Sequence, residues 1–241
     1  MTGGPGGGAR NFVLVHGAWH GGWCWARVRD ILTARGHRVF TPTLTGLADR
    51  SHLMSRDITL DTHIQDVANL ILWEGLGDVI LCGHSYAGWV ISGAVERVAD
   101  RVAALVYLDA YVPEDGECGR DVISERGKAS IDAALKAGEP SRPAPPARHF
   151  RVNEADQDWV DGLLTPHPVG VALGPIRLSG SRERIAHKTY IRTPAYPSAR
   201  FDADAAKVRA RPGWDFIELA CGHDVMVDMP DRLADILEQV A

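Results

Sequence analysis

Short unbroken apolar runs recur along the chain, and most are followed by stretches in which apolar residues return every three or four positions. Residues 12–16 form the first run, closed by Gly17, and predict a strand buried on both faces. Over residues 22–35, Trp25, Val28, Ile31 and Leu32 share one helical stripe, and Gly36 supplies a stop. Residues 38–41 read as a second strand ended by Pro42. After a polar loop, a helix over about 61–73 places Ile64, Val67, Ala68 and Ile71 on one face. Residues 78–82 form the next buried run, which turns through Gly83-His84-Ser85-Tyr86-Ala87-Gly88 into a helix ending near Val98, and 102–108 is a further strand. This alternation predicts an α/β fold with a mostly parallel sheet covered on both sides.

The pattern breaks at Pro113. Up to about residue 185 the chain is richer in proline, charge and turn signals, with helical pieces near 119–137 and 154–164. It then resumes with a strand at 188–191, a helix at 202–210, a strand at 215–219 and an amphipathic helix at 230–240. The reading is therefore a core of about six strands built from 10–112 and 187–241, a small helical cap inserted at 113–186, and a Gly-rich lead-in at 1–9. No internal repeat is visible.

Composition narrows the classes. With 241 residues the chain is long enough for one well-filled domain. Lys and Arg total 26 against 31 Asp and Glu, a net charge of −5 that offers no electrostatic footprint for nucleic acid. No apolar run reaches the roughly 18–20 residues of a membrane span. The lead-in lacks the basic and apolar regions of a signal peptide, and the four cysteines, Cys24, Cys82, Cys118 and Cys221, form no CxxC pair. The expectation is a cytoplasmic protein with reduced thiols, no metal and no organic cofactor, no nucleic-acid or membrane partner, and a homodimer left open.

Ser85 is the central candidate for chemistry. It stands in a tight strand-to-helix turn flanked by Gly83 and by Ala87-Gly88, the setting that lifts a serine hydroxyl to the carboxyl edge of a sheet beside the N-terminus of a helix. A serine needs a base. Among ten histidines, His223 is selected because it follows the last strand at the same sheet edge. His16, His20 and His84 are read as structural or lining residues, His37 as peripheral, His63 as a surface residue, and His167 as a surface residue with pocket lining as its alternative. Trp19, Trp23, Tyr86, Tyr111 and Trp159 are read as lining an apolar acyl or alcohol site, and Trp25 and Trp73 as core packing.

The run His16-Gly17-Ala18-Trp19-His20-Gly21-Gly22-Trp23, the Ser85 turn and Gly222-His223, in that order, resemble the α/β-hydrolase superfamily. More narrowly, they resemble the compact group of plant methyl esterases and hydroxynitrile lyases with their bacterial relatives. The resemblance runs from about Asn11 to near the end and is weakest in the cap. It implies an α/β-hydrolase fold and an oxyanion hole made by the backbone N–H groups of Ala18 and Tyr86. It also implies a triad acid, for which two positions are open. In the plant relatives the acid follows the penultimate strand, where this chain reads Arg192-Thr193-Pro194 and offers Asp202 or Asp204 only later. Another superfamily arrangement, seen in some haloalkane dehalogenases, places it after the strand that follows the nucleophile helix, where Asp109 falls. Asp109 is preferred over Asp202, because a carboxylate ending a buried strand needs a partner such as a histidine N–H.

The function expected is hydrolysis of a small-molecule carboxylic ester through a Ser85–His223–Asp109 triad and an acyl-enzyme. The alternatives are a hydroxynitrile lyase, a carbon–carbon or lactone hydrolase, and a non-catalytic binding protein on the same scaffold. The resembling lyases carry a threonine and a lysine where this chain has Gly17 and Asp224.

Overall fold

The structure, a computed structural model, describes residues 8–240, so all but the last two residues of the Gly-rich lead-in lie outside it. Six apolar runs become the strands β1 (Asn11–Val15), β2 (Arg38–Phe40), β3 (Val79–His84), β4 (Val102–Leu108), β7 (His187–Arg192) and β8 (Asp215–Glu218). They lie side by side in the order β2-β1-β3-β4-β7-β8, every pair parallel. Both faces are covered, and the two-residue period of a strand divides the core accordingly. Val13, Val15, Leu81, Leu105 and Tyr107 pack on one side of the sheet, and Phe12, Leu14, Ile80, Val106 and Leu108 on the other.

The first face is closed by α2 (Leu60–Trp73) and α3 (Ala87–Val98), the second by α1 (Ala26–Ala34) and α6 (Pro230–Gln239), while α5 (Ala199–Arg209) links β7 to β8. Helix α2 starts on a capping box between Thr59 and Thr62. Its buried stripe is the predicted one, with two corrections. His63 is fully buried, because it lies on the same face as Ile64 and Val67 and both its ring nitrogens find partners. Trp73 is 86% exposed, because it stands two positions, about 200°, beyond Ile71 on the helix.

Residues 113–186 contribute nothing to the large sheet. They hold α4 (Glu125–Ala137), capped by Ser124 and ended by Gly138 at φ 73°, together with shorter turns. They also hold a two-strand antiparallel ladder of β5 (Ser141–Arg142) and β6 (His167–Pro168). Among the described residues no helix is long and apolar enough to cross a membrane.

The chain runs from β1 out to β2 and returns on the other side of β1 as β3. The carboxyl ends of β1 and β3 therefore flank the crevice where open α/β sheets bind ligands. Close approach there depends on glycine. A Cβ on Gly17 would lie 2.9 Å from the His84 ring, and one on Gly83 would lie 2.8 Å from the Ala87 carbonyl oxygen. Ala87 itself is accommodated, whereas a Cβ on Gly88 would lie 2.0 Å from the Tyr111 carbonyl oxygen. Gly88→Ala is expected to cost about 1–3 kcal/mol through this backbone clash. Thermal denaturation checks it, and an unchanged midpoint would mean that the loop yields freely.

Candidate active site

Ser85 sits directly after β3 with φ 53°, a left-handed conformation that costs a non-glycine residue free energy and persists only where the surroundings enforce it. Three backbone hydrogen bonds do so. The Ser85 N–H donates to the Leu108 carbonyl at 3.1 Å, and its own carbonyl accepts from the N–H groups of Gly88 at 3.1 Å and Tyr111 at 3.2 Å. The turn delivers the chain into α3, whose N-cap, Tyr86, makes no side-chain capping bond. Among the described residues the backbone N–H groups of Tyr86 and Ala18 have no protein acceptor, and both residues line the same cavity as Ser85. The Tyr86 side chain is fixed from behind, its hydroxyl donating to His63 Nδ1 at 3.0 Å while His63 Nε2–H donates to the Thr45 carbonyl. Burial drives His63 down to about 4, consistent with this neutral tautomer.

His223 is almost fully buried, its ring stacked on Tyr196 at 4.3 Å between centroids and flanked by Phe150 and Phe201. Its Nδ1 lies 2.6 Å from Asp109 Oδ2. Its backbone is held at both ends, the N–H donating to the Phe150 carbonyl and the carbonyl accepting from His84 Nε2–H. Asp109 follows β4 at φ 42°, fully buried, its N–H bonded to the Ile191 carbonyl at 2.7 Å. The other carboxylate oxygen accepts from Arg192 Nη1 at 2.6 Å and from the Thr193 N–H at 3.1 Å. Asp109, not Asp202, thus faces His223. Asp202 is 66% exposed and contacts the far side of the Arg192 guanidinium. Arg192 occupies the end of β7, where the plant-type arrangement would carry its acid. It also bonds the Thr193 and Tyr196 carbonyls. Sequence reasoning passed over it, although a buried carboxylate at the neighbouring strand end implied a partner for more than one oxygen.

A second buried cluster lies beneath the Ala18 loop. His20 presents Nδ1 to the Ala18 carbonyl at 2.8 Å and Nε2 to Asp224 Oδ2 at 3.0 Å. Both partners are acceptors, so both ring nitrogens carry hydrogens and His20 is an imidazolium. Burial alone would lower its pKa, but the Asp224 carboxylate outweighs burial and the net direction is up. Burial would likewise raise Asp224, but the His20 charge holds it at about 2. His16, by contrast, is pushed down to about 3 chiefly by burial. It spans Gly17 and Leu44 as a neutral ring, Nδ1–H donating and Nε2 accepting.

Ser85 and His223 open into a cavity of about 700 Å³ that also takes in Trp19, Tyr111 and the insert residues Arg142 and His167. Trp23 and Trp159 do not line it. They meet edge to face at 5.2 Å, half-buried against the core on the β1–α1 side, where Trp23 also stacks on His20. His167 is buried rather than on the surface, because the insert folds it over the Ala18 loop, where Nδ1 accepts the Trp19 N–H at 3.3 Å.

The sequence profile of the alpha/beta hydrolase family matches residues 12–236. The chain is 40% identical to a carbendazim hydrolyzing esterase of Nocardioides sp. (strain SG-4G) over 94% of its own length and 98% of that protein. It is 33% identical to methylesterase 1 of Arabidopsis thaliana over a shorter stretch, 49% of this chain and 46% of the relative. Among solved structures it is similar to an extracellular alpha/beta-hydrolase from a Paenibacillus species, with a TM-score of 0.83 at 23% identity, covering 96% of this chain and 99% of that one.

Proposed function

Because the chain belongs to the α/β-hydrolase family and is an esterase on that scaffold, we propose that it cleaves small carboxylic esters through an acyl-enzyme on Ser85. The observation that carries this reading is the 2.6 Å contact between His223 Nδ1 and Asp109 Oδ2 behind a serine held at φ 53°, with His223 and Ser85 opening into one cavity. In this reading His223 Nε2 takes the Ser85 proton as Oγ bonds to the ester carbonyl carbon. The carbonyl oxygen becomes an oxyanion and is met by the N–H groups of Ala18 and Tyr86. As the carbon–oxygen bond to the alcohol breaks, His223 returns the proton to the leaving alkoxide. A water, deprotonated by His223, then attacks the acyl carbon, Ser85 regains its proton and the acid leaves. Asp109 keeps the Nδ1–H tautomer and offsets the imidazolium charge in both halves.

The lyase alternative finds no support. Asp224, which stands where the resembling lyases have their lysine, is itself a carboxylate and is committed to His20.

The test is intact-mass analysis after exposure to a serine-reactive phosphonate, with turnover of p-nitrophenyl esters measured alongside. One adduct and ester turnover are expected in the wild type, and neither in Ser85→Ala. A folded wild-type protein that takes no adduct and turns over no ester would overturn the reading and bring the binding-protein alternative forward.

A further inference from the structure

The cavity holding Ser85 has an unusual charge balance for a chain of net charge −5. Arg126, Arg142 and Arg200 line it, and no aspartate or glutamate does. Arg200 is neutralised by Glu117 and Asp204. Arg142 is different. Among the described residues its guanidinium makes no ion pair, and no backbone or side-chain oxygen accepts from it. It lies over the Trp19 ring with the guanidinium carbon 4.3 Å from the centroid. Stacking of this kind holds the plane of the group but leaves its N–H edge unused. Burial lowers the Arg142 pKa to about 10, the cost of keeping a cation away from water without a carboxylate.

The second donor comes from the partner strand. In the β5–β6 ladder Arg142 and His167 are directly paired, so their side chains leave the same face, and both line the cavity. His167 Nδ1 is an acceptor for the Trp19 N–H, which places the ring proton on Nε2. Nε2 has no protein partner among the described residues. It is also absent from the orphaned polar atoms sealed in the interior, so it meets the cavity. His167 is itself 1% exposed, and burial followed by the Arg142 charge pushes its pKa well down, so it is a neutral donor. Among the described residues Arg126 makes no ion pair either, but it is exposed to solvent, so the shielded donor set is one fixed positive charge with a planar fork and one neutral N–H beside it. That donor set matches a monoanion with two coplanar oxygens.

Resting on the esterase reading, we infer that Arg142 and His167 form a carboxylate-binding subsite, and that the preferred substrates are esters carrying a free carboxylate away from the scissile bond, such as half-esters of dicarboxylic acids. The Arg142 fork binds the two carboxylate oxygens, and His167 Nε2–H donates to one of them. Trp19 keeps the guanidinium plane in place. The subsite is assembled by the insert, and it joins the Ala18 loop through the Trp19 N–H.

The test compares monomethyl adipate with methyl hexanoate, which differ in a terminal carboxylate against a methyl group, by methanol release. Wild-type kcat/KM is expected to be at least about tenfold higher for the half-ester, the scale of hydrogen bonds to a charged group. The ratio should fall to about one in Arg142→Gln and shift part of the way in His167→Phe. Reading a ratio within each variant separates selectivity from a general loss of folded enzyme. A wild-type ratio at or below one overturns the inference while hydrolysis of methyl hexanoate leaves the esterase reading standing. If neither methyl ester is cleaved, the esterase reading is decided by the p-nitrophenyl esters and the phosphonate adduct, and the subsite is judged by quenching of tryptophan fluorescence in Ser85→Ala. Tighter binding of the half-ester that Arg142→Gln removes in that background supports the subsite, and equal binding of both esters overturns it.

Discussion

Asp109→Asn is expected to lower kcat for ester hydrolysis by about 10³–10⁴-fold, whereas Asp202→Asn should change it by less than about threefold. Both residues touch Arg192, so proximity to that guanidinium does not separate them. Their relation to His223 does. Asp109 accepts the Nδ1 hydrogen, and an amide in its place would present an N–H₂ group to that nitrogen. The imidazole would answer by moving its hydrogen to Nε2, the nitrogen required to accept the Ser85 proton. Arg192 would survive the change, because it keeps Asp202 and the carbonyls of Thr193 and Tyr196. The Asp109→Asn protein should therefore be folded and inactive. Steady-state kinetics with thermal melts on both variants checks this, and the reverse ranking would return the acid to the strand used by the plant relatives.

The second large effect is on stability. Asp224→Asn is expected to destabilise the fold by about 3–5 kcal/mol, because it leaves the buried His20 charge without its counter-ion. For a chain of this size that lowers the midpoint by on the order of 10 °C. The pH dependence carries the signature. Asp224 sits at about 2 against an ordinary value of 3.8, so its contribution is present above 3.8 and lost as pH falls toward 2. His20 is raised from 6.5, so its contribution is full below 6.5 and lost as pH rises through the raised value. Stability from the pair is therefore greatest between about pH 4 and 6.5. Asp224→Asn should flatten the wild-type decline below pH 4. Denaturant unfolding at several pH values measures this, and an identical profile in the variant would remove the pair from the account.

The sheet was legible in the sequence because each strand is a continuous apolar run and each helix a stripe, patterns that need no partner to be seen. Ser85 and His223 were legible for a related reason, since the turn and the loop are local signals at strand ends. The rest depends on meetings between distant segments. Nothing near Arg192 announces that it lies against Asp109, 83 residues earlier. Nothing near Asp224 points to His20, 204 residues away. His63 and His167 were read as surface because a histidine in isolation carries no mark of its neighbours, and both are buried with their polar atoms engaged or turned to the cavity. Trp73 misled in the opposite sense, a large apolar residue at the end of a helix where the buried stripe has already turned away.

The bonds between the insert and the sheet edge bear on whether the insert can be exchanged. The Thr165 N–H donates to the Trp19 carbonyl, the His167 ring accepts the Trp19 N–H, and the Phe150 carbonyl accepts the His223 N–H. The insert is thus also scaffolding for the parts proposed to do the chemistry. Swapping this insert between homologues as an interchangeable module would strip two loops of their backbone tethers unless the donor segment offers the same acceptors and donors at those three places.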